Sequence, residues 1–298
     1  MTDPAPTGLA LWLAGARLRT LPAAVVPVAV GSAVAVGMGV DTQWWRAAAA
    51  LVVSLALQVG VNYANDYSDG VRGTDGDDRV GPLRLVGSGL VPASSVKRAA
   101  TLAFGVAGLV GAALALAVGP ELFVVGALCL IAGWTYTGGP RPYGYLGLGE
   151  VFVFLFFGLV ATIGTTYVLI EDIPALAVWS SVTAGLWATA LMVTNNLRDI
   201  PGDTLAGKNT LAVRLGDTRT RHAFALIHVG AIAVAIVAQF VFDRGSLGAV
   251  AALPFIVKAV RTVRAGAEGP ALIPVLGASS AAQLAGGLGL MIGLALTG

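Results

Sequence analysis

The sequence predicts an all-α, polytopic membrane protein with nine transmembrane helices, its N-terminus in the cytoplasm and its active site opening to the cytoplasmic side. Three observations carry that reading. Hydrophobic residues make up 56% of the 298-residue chain and charged residues only 11%, against about 25% charged in a soluble domain. Apolar runs of the length a bilayer demands, about 20 residues, recur from end to end. Lys and Arg then gather on one side when those runs are threaded alternately.

Taken in order, the runs fall at 21–40, 46–64, 97–118, 120–137, 148–169, 174–195, 222–241, 246–263 and 270–296. Pro22, Pro27, Pro254 and Pro274 sit inside or near the starts of these runs. Membrane helices tolerate proline where neighbours satisfy the freed backbone groups, and the 40 glycines suit close helix approach. With the N-terminus inside, only Arg46 and Arg244 of the 18 Lys and Arg fall outside. That asymmetry also favours an odd number of spans. The stretch Met1–Gly15 lacks an early basic region and a cleavage site, so no removable signal is expected. The chain reads as one membrane-embedded domain, 1–298, with polar inner links at 65–96, 138–147 and 196–221. The two longest links follow the second and sixth runs, which suggests a weak internal duplication of four helices.

The chemistry concentrates in those links. Cys129 is the single cysteine and His222 and His228 the two histidines, so neither a disulfide framework nor a Cys/His metal cluster is expected. Asn65/Asp69 and Asn195/Asp199 repeat an Asn-x-x-x-Asp spacing that puts both side chains on one helix face. Asp75 follows the first pair and Asp203 the second. Such carboxylates repel one another unless a cation intervenes. Mg²⁺ prefers one or two carboxylates, waters and phosphate oxygens, so Asp69, Asp75, Asp199, Asp203, Asn65 and Asn195 read as metal ligands. Pro201 and Gly202 are expected to kink or break the helix before Asp203, leaving loop geometry to bring it in. Arg72, Arg79, Arg84, Arg141, Arg198, Lys208 and Arg214 can bind phosphate oxygens. Positive-inside topology alone would also account for Arg79, Arg84, Lys97, Arg98, Arg219 and Arg221. Asp66 lies off the Asn65 face and is assigned to substrate binding. Tyr136 and Tyr143 are candidates to stabilise a carbocation, whereas Phe152, Phe154, Phe156 and Phe157 read as lipid-facing.

With these motifs the chain resembles the intramembrane aromatic prenyltransferases of the UbiA type. The first motif matches at Asn65, Asp69 and Asp75, the second at Asn195, Asp199 and Asp203. Arg17–Pro22, Tyr136–Pro140, Tyr143–Glu150 and Gly207–Arg214 are similar to the branch that prenylates 1,4-dihydroxy-2-naphthoate, as is the six-residue step from Asp69 to Asp75. The resemblance implies Mg²⁺-dependent transfer of a polyprenyl group from polyprenyl diphosphate to 1,4-dihydroxy-2-naphthoate, with loss of carbon dioxide and diphosphate, giving demethylmenaquinol in menaquinone biosynthesis. Asp69, Asp199, Asn65, Asn195 and Lys208 would be catalytic. Arg19, Arg72, Arg141, Tyr136, Tyr143, Arg198 and Asp66 would bind substrate, with Arg19 directed at an acidic group. The expected setting is a bacterial plasma membrane, with the bilayer as partner and no nucleic acid. Transfer to 4-hydroxybenzoate or homogentisate stays open. A transporter is disfavoured, because the acidic groups cluster at one face rather than at the bilayer midplane.

Overall fold

The computed structural model describes residues 6–74, 81 and 83–297, and all regular structure among them is helical. In chain order the elements are α1 (Gly8–Ala16), α2 (Pro22–Gly37), α3 (Trp44–Arg72), α4 (Ala93–Ala117), α5 (Glu121–Thr135), α6 (Gly149–Ile170), α7 (Ala175–Leu205), α8 (Leu211–Phe242), α9 (Ser246–Arg264) and α10 (Gly269–Leu296). Seven of them, α3, α4 and α6 to α10, are long and apolar enough to cross a membrane. The helical stretches 8–20 and 22–37 pass that test only jointly, bent by 53°, and α5 is a shorter apolar helix.

Two helices outlast the apolar runs that begin them, as the one-face reading of their motifs requires. The runs ending at 64 and 195 do not end there. Helix α3 continues through Asn65 and Asp69 to Arg72, and α7 continues through Asn195 and Asp199 to Leu205. Their polar last turns face protein rather than lipid, so side chains there find partners and the helix has no reason to stop. Helix α3 closes on Gly73, whose φ of 69° only glycine adopts cheaply. Pro201 does not break α7. It removes one N–H from the ladder, and the helix runs on past it to Leu205. Asn195, Asp199 and Asp203 therefore share one face.

The short helix α1 was not anticipated from the sequence. It ends at Arg17, with φ of 54°, and lays Leu11 and Trp12 on a core of Tyr63, Leu85, Val91 and Val96. The Tyr63 hydroxyl donates to the Trp12 carbonyl at 2.8 Å.

Elsewhere the bundle packs small residues closely. Val26, Val30 and Val34 of α2 meet Leu290 and Leu294 of α10. A Cβ on Gly158 would come within 2.4 Å of the Gly185 Cα, so α6 and α7 touch backbone to backbone. Gly158 lies in a π-helical segment of α6, Phe154–Val160. Such segments shift the register of the residues around them and often mark functional sites. Phe152, Phe156 and Phe157 line an interior cavity instead of facing lipid, and the Phe154 ring packs on Gly185. That cavity, about 1960 Å³ in volume, is walled chiefly by α3 to α7.

Candidate active site

The polar mouth of the cavity is built where α3 and α7 end side by side. Lys208, just beyond α7, places its Nζ 3.2 Å from Asp69 Oδ2 near the end of α3. The link between α5 and α6 joins them. Tyr145 donates its hydroxyl to Asp69 Oδ1 at 2.6 Å, and its carbonyl accepts the Asn209 backbone N–H at 3.0 Å. All three polar links thus converge at one end of the bundle. The opposite end is clamped by Arg46, which binds Glu171 at 2.8 Å and the Val168 carbonyl at 3.0 Å.

Asp69 is 3% exposed and forms the hub. Besides Tyr145 and Lys208 it holds Arg84 Nη2 at 3.4 Å. Asn65, one turn earlier, accepts the Thr137 hydroxyl at 2.8 Å on Oδ1. Arg72, one turn later, donates to the carbonyls of Thr137 and Gly139 and lies over the Tyr145 ring, 5.3 Å from its centroid. On α7, Arg198 grips its neighbour Asp199 with two bonds of 2.7 Å, from Nε to Oδ1 and from Nη2 to Oδ2. Asn195 donates back to the Leu191 carbonyl at 3.3 Å. Asp203 accepts the Thr210 hydroxyl at 3.5 Å.

Electrostatics explain this pairing. Two helix C-termini, each carrying a partial negative charge, meet three carboxylates, and the chain answers with Arg72, Arg84, Arg198 and Lys208. Burial works against the Lys208 charge, but Asp69, Tyr145 and Asp203 outweigh it and raise its pKa above the ordinary lysine value. The Tyr145 pKa is also raised, first by burial and then by the Asp69 charge, which keeps its proton available to Asp69.

The donor set fits Mg²⁺. Among the described residues no three His, Cys, Asp or Glu side chains form a ready metal cluster. Mg²⁺ does not need one, because it binds through one or two carboxylates and completes its shell with water and phosphate. Asp69, Asp199, Asp203, Asn65 and Asn195 all line the cavity and offer hard oxygens.

Residues 24–267 match the model of the UbiA prenyltransferase family. The chain belongs to the UbiA prenyltransferase family. A 1,4-dihydroxy-2-naphthoate octaprenyltransferase of Mycobacterium tuberculosis is 48% identical over 92% of this chain and 93% of its own length. The enzyme of the same name from Escherichia coli is 36% identical, over 93% and 92%. A UbiA homolog from Archaeoglobus fulgidus, solved bound to DMAPP and Mg²⁺, has the same fold. Its TM-score is 0.66, at 16% identity, over 94% of this chain and 99% of that one.

Within this UbiA site, most sequence-derived assignments converge. Asp69, Asp199, Asp203, Asn65, Asn195, Lys208, Arg19, Arg72, Arg198, Tyr136 and Tyr143 all line the cavity. Asp75, like Asp77, Asp78 and Arg79, lies outside the described residues. Two assignments to substrate binding are corrected. Asp66 is fully buried away from the cavity, where its carboxylate accepts the backbone N–H groups of Leu85 and Val86 at 2.8 and 2.9 Å. It moors the link before α4. Arg141 is exposed on the link outside the cavity wall. Arg84, for which the sequence leaves both a phosphate contact and an ordinary inner-side charge open, pairs with Asp69.

Sequence reasoning also passed over Tyr145 as a hydrogen-bond donor, and over Gln58 and Asn62. Gln58 donates to Thr20 Oγ1 at 3.2 Å and Asn62 to the Ala16 carbonyl at 2.8 Å, and both line the cavity. Their signal was present: Gln58, Asn62, Asn65, Asp69 and Arg72 step along α3 by four and three residues, a polar stripe on one face. No comparable pattern marks Arg84 or Tyr145, which reach the site from links.

Proposed function

We propose that this protein transfers a polyprenyl group from polyprenyl diphosphate to 1,4-dihydroxy-2-naphthoate, releasing carbon dioxide and diphosphate and forming demethylmenaquinol for menaquinone biosynthesis. The observation that carries the reading is geometric. Two Asn-x-x-x-Asp helix ends and a buried lysine converge at the polar mouth of a large apolar cavity. A diphosphate head and an isoprenoid tail need those two environments side by side. The naphthoate acceptor is favoured by the full-length likeness to enzymes of that name, and their octaprenyl donor is the first to test.

Mg²⁺ bound by Asp69 and Asp199, with Asn65, Asn195, Asp203 and Asp75, would neutralise the diphosphate and aid its departure. Lys208, Arg72 and Arg198 add charge-assisted hydrogen bonds to its oxygens, strengthening as charge develops. Arg19 is suited to the acceptor's carboxylate. The bond from the allylic carbon to oxygen breaks, and its electron pair leaves on the diphosphate. The ring carbon that bears the carboxylate forms the new carbon–carbon bond. Its bond to carbon dioxide then breaks, and that pair restores the aromatic ring. Tyr136, Tyr143, Phe152 and Phe156 line the wall where the cationic carbon would lie, and their faces attract positive charge. The apolar cavity keeps water from it.

The bent helical stretches 8–20 and 22–37 as one span and α5 as another would bring the total to nine. Positive-inside charge then puts the mouth on the cytoplasmic face of a bacterial plasma membrane. Purified protein in detergent should release one carbon dioxide per prenyl group transferred to dihydroxynaphthoate, and chelation of Mg²⁺ should stop it. Transfer to 4-hydroxybenzoate with its carboxyl retained, and none to dihydroxynaphthoate, sinks this acceptor. Transport activity without any transfer restores the transporter.

A further inference from the structure

Two consecutive asparagines of α7 face the cavity, and both have their amide nitrogens engaged. Asn195 Nδ2 donates to the Leu191 carbonyl. Asn196 Nδ2 donates to Glu150 Oε1, in the first turn of α6, at 2.8 Å. An amide with its NH₂ held behind presents its carbonyl oxygen in front. For Asn195 that oxygen serves the proposed Mg²⁺ site. Asn196 is an unspecified position of the second motif, between Asn195 and Asp199, and the chemistry above gives it no task.

Glu150 decides which way Asn196 points. A carboxylate only accepts, so the asparagine must turn its NH₂ end toward it. Glu150 is 5% exposed, and its Oε2 has no hydrogen-bond partner. A carboxyl buried this way in an apolar helix is costly and marks a functional position. The surroundings of Asn196 identify what its oxygen would meet. Tyr136 extends its hydroxyl to Met192 Sδ, one turn back on α7, at 3.6 Å. The Tyr136 ring lies 5.4 Å from Tyr143, which stacks on Phe152 at 3.9 Å and 23°. All of these side chains except Glu150 line the cavity. Asn196 thus sits beside an aromatic wall in which Tyr143 and Phe152 stack and Tyr136 is tilted by 58°.

We infer that Glu150 is a positioning residue that aims Asn196 Oδ1 at a phenolic hydroxyl of the aromatic acceptor, whose ring lies along the Tyr136–Tyr143–Phe152 wall. The inference rests on the prenyl-transfer reading and names how that site recognises its acceptor. Accepting the hydroxyl hydrogen draws electron density toward the ring carbon that is to be prenylated, with no net proton transfer. It also rejects any acceptor in which that oxygen carries a methyl group, since the carbonyl would lose its donor.

The test uses the full chain in detergent with Mg²⁺ and saturating prenyl diphosphate. Acceptors are 1,4-dihydroxy-2-naphthoate and its two mono-methyl ethers. In the unsubstituted protein one ether should raise KM by about tenfold. Asn196→Ala should raise KM for the parent acceptor to that level and erase the discrimination, leaving KM for prenyl diphosphate unchanged. Glu150→Gln preserves volume but offers Asn196 both an NH₂ and an oxygen, so its discrimination should fall between the two. Retention of the full discrimination against that ether in Asn196→Ala overturns the inference, as does equal use of the parent acceptor and both ethers by the unsubstituted protein. So does a rise in KM for prenyl diphosphate alone. No transfer by the unsubstituted protein would instead defeat the functional reading, and this inference with it.

Discussion

The two acidic helix ends carry the same Asn-x-x-x-Asp spacing but are wired differently. At the end of α3, Asp69 is held by Tyr145 from one link, Arg84 from a second and Lys208 from a third, and Asn65 holds Thr137. At the end of α7, Asp199 is gripped by the adjacent Arg198 of its own helix, and the Asn195 amide turns back on its own helix as well. Asp69 is almost wholly buried, whereas the Asp199 side chain keeps 22% of its surface exposed. The first end organises the mouth of the cavity. At the second, Asp203 also accepts the Thr210 hydroxyl from beyond the helix, at 3.5 Å. The same spacing is thus set among different partners at the two ends.

The contrast can be broken most directly at the two carboxylates. Asp69→Ala and Asp199→Ala should each lower Mg²⁺-dependent transfer by about 10³-fold, the scale expected when a group that stabilises the leaving charge is lost. Asp69→Ala should also open the links at 83–92 and 138–147 to limited proteolysis, since Arg84 and Tyr145 lose the carboxylate they bind there. Unchanged protection in that variant would refute its role as the hub.

Asp66 sharpens the same point, because its carboxylate holds the link before α4 while Asp69, three residues on, lines the cavity. Asp66→Ala leaves two buried backbone N–H groups without an acceptor and should cost about 3 kcal/mol of stability, read as a lower Tm in detergent. KM for both substrates in the folded fraction should hold. A KM change at unaltered Tm would return Asp66 to substrate binding.

Tyr145→Phe removes one hydrogen bond from Asp69 and should lower kcat by about tenfold. The pH response follows from the raised values of Tyr145 and Lys208. Both groups keep their protons through neutral pH. Their contribution to stability is complete below the unfolded values, about 10 and about 10.4, and is lost as pH rises through the higher folded ones. Thermal stability should therefore fall on the alkaline side less steeply in Tyr145→Phe than in the unsubstituted protein. The smallest effect belongs to Arg141. It is exposed outside the cavity, so Arg141→Ala should change kcat/KM by less than about twofold.

Much of this was legible in the residues. A chain with so few charges must place long apolar runs in lipid, and the runs could be counted. Asn65, Asp69, Asn195 and Asp199 could be paired because i,i+4 spacing on a helix is local geometry. What could not be read were contacts set by folding links back on helices. Arg84 and Lys97 look alike along the chain, yet one pairs with Asp69 and the other lies over the Tyr67 ring at 5.6 Å. Asp66 and Asp69 are three residues apart, and only the path of the following link separates mooring from chemistry.

The sequence by itself therefore determined the class of fold, the two Asn-x-x-x-Asp helix ends and the family they belong to, because hydropathy and helical spacing act over a few residues. The tertiary structure alone decided which cations meet Asp69, that α7 carries Asp203 past Pro201, and that Phe152 and Phe156 of α6 line the cavity. Those outcomes depend on where distant backbone comes to rest, and close approaches such as Gly158 to Gly185 set that position.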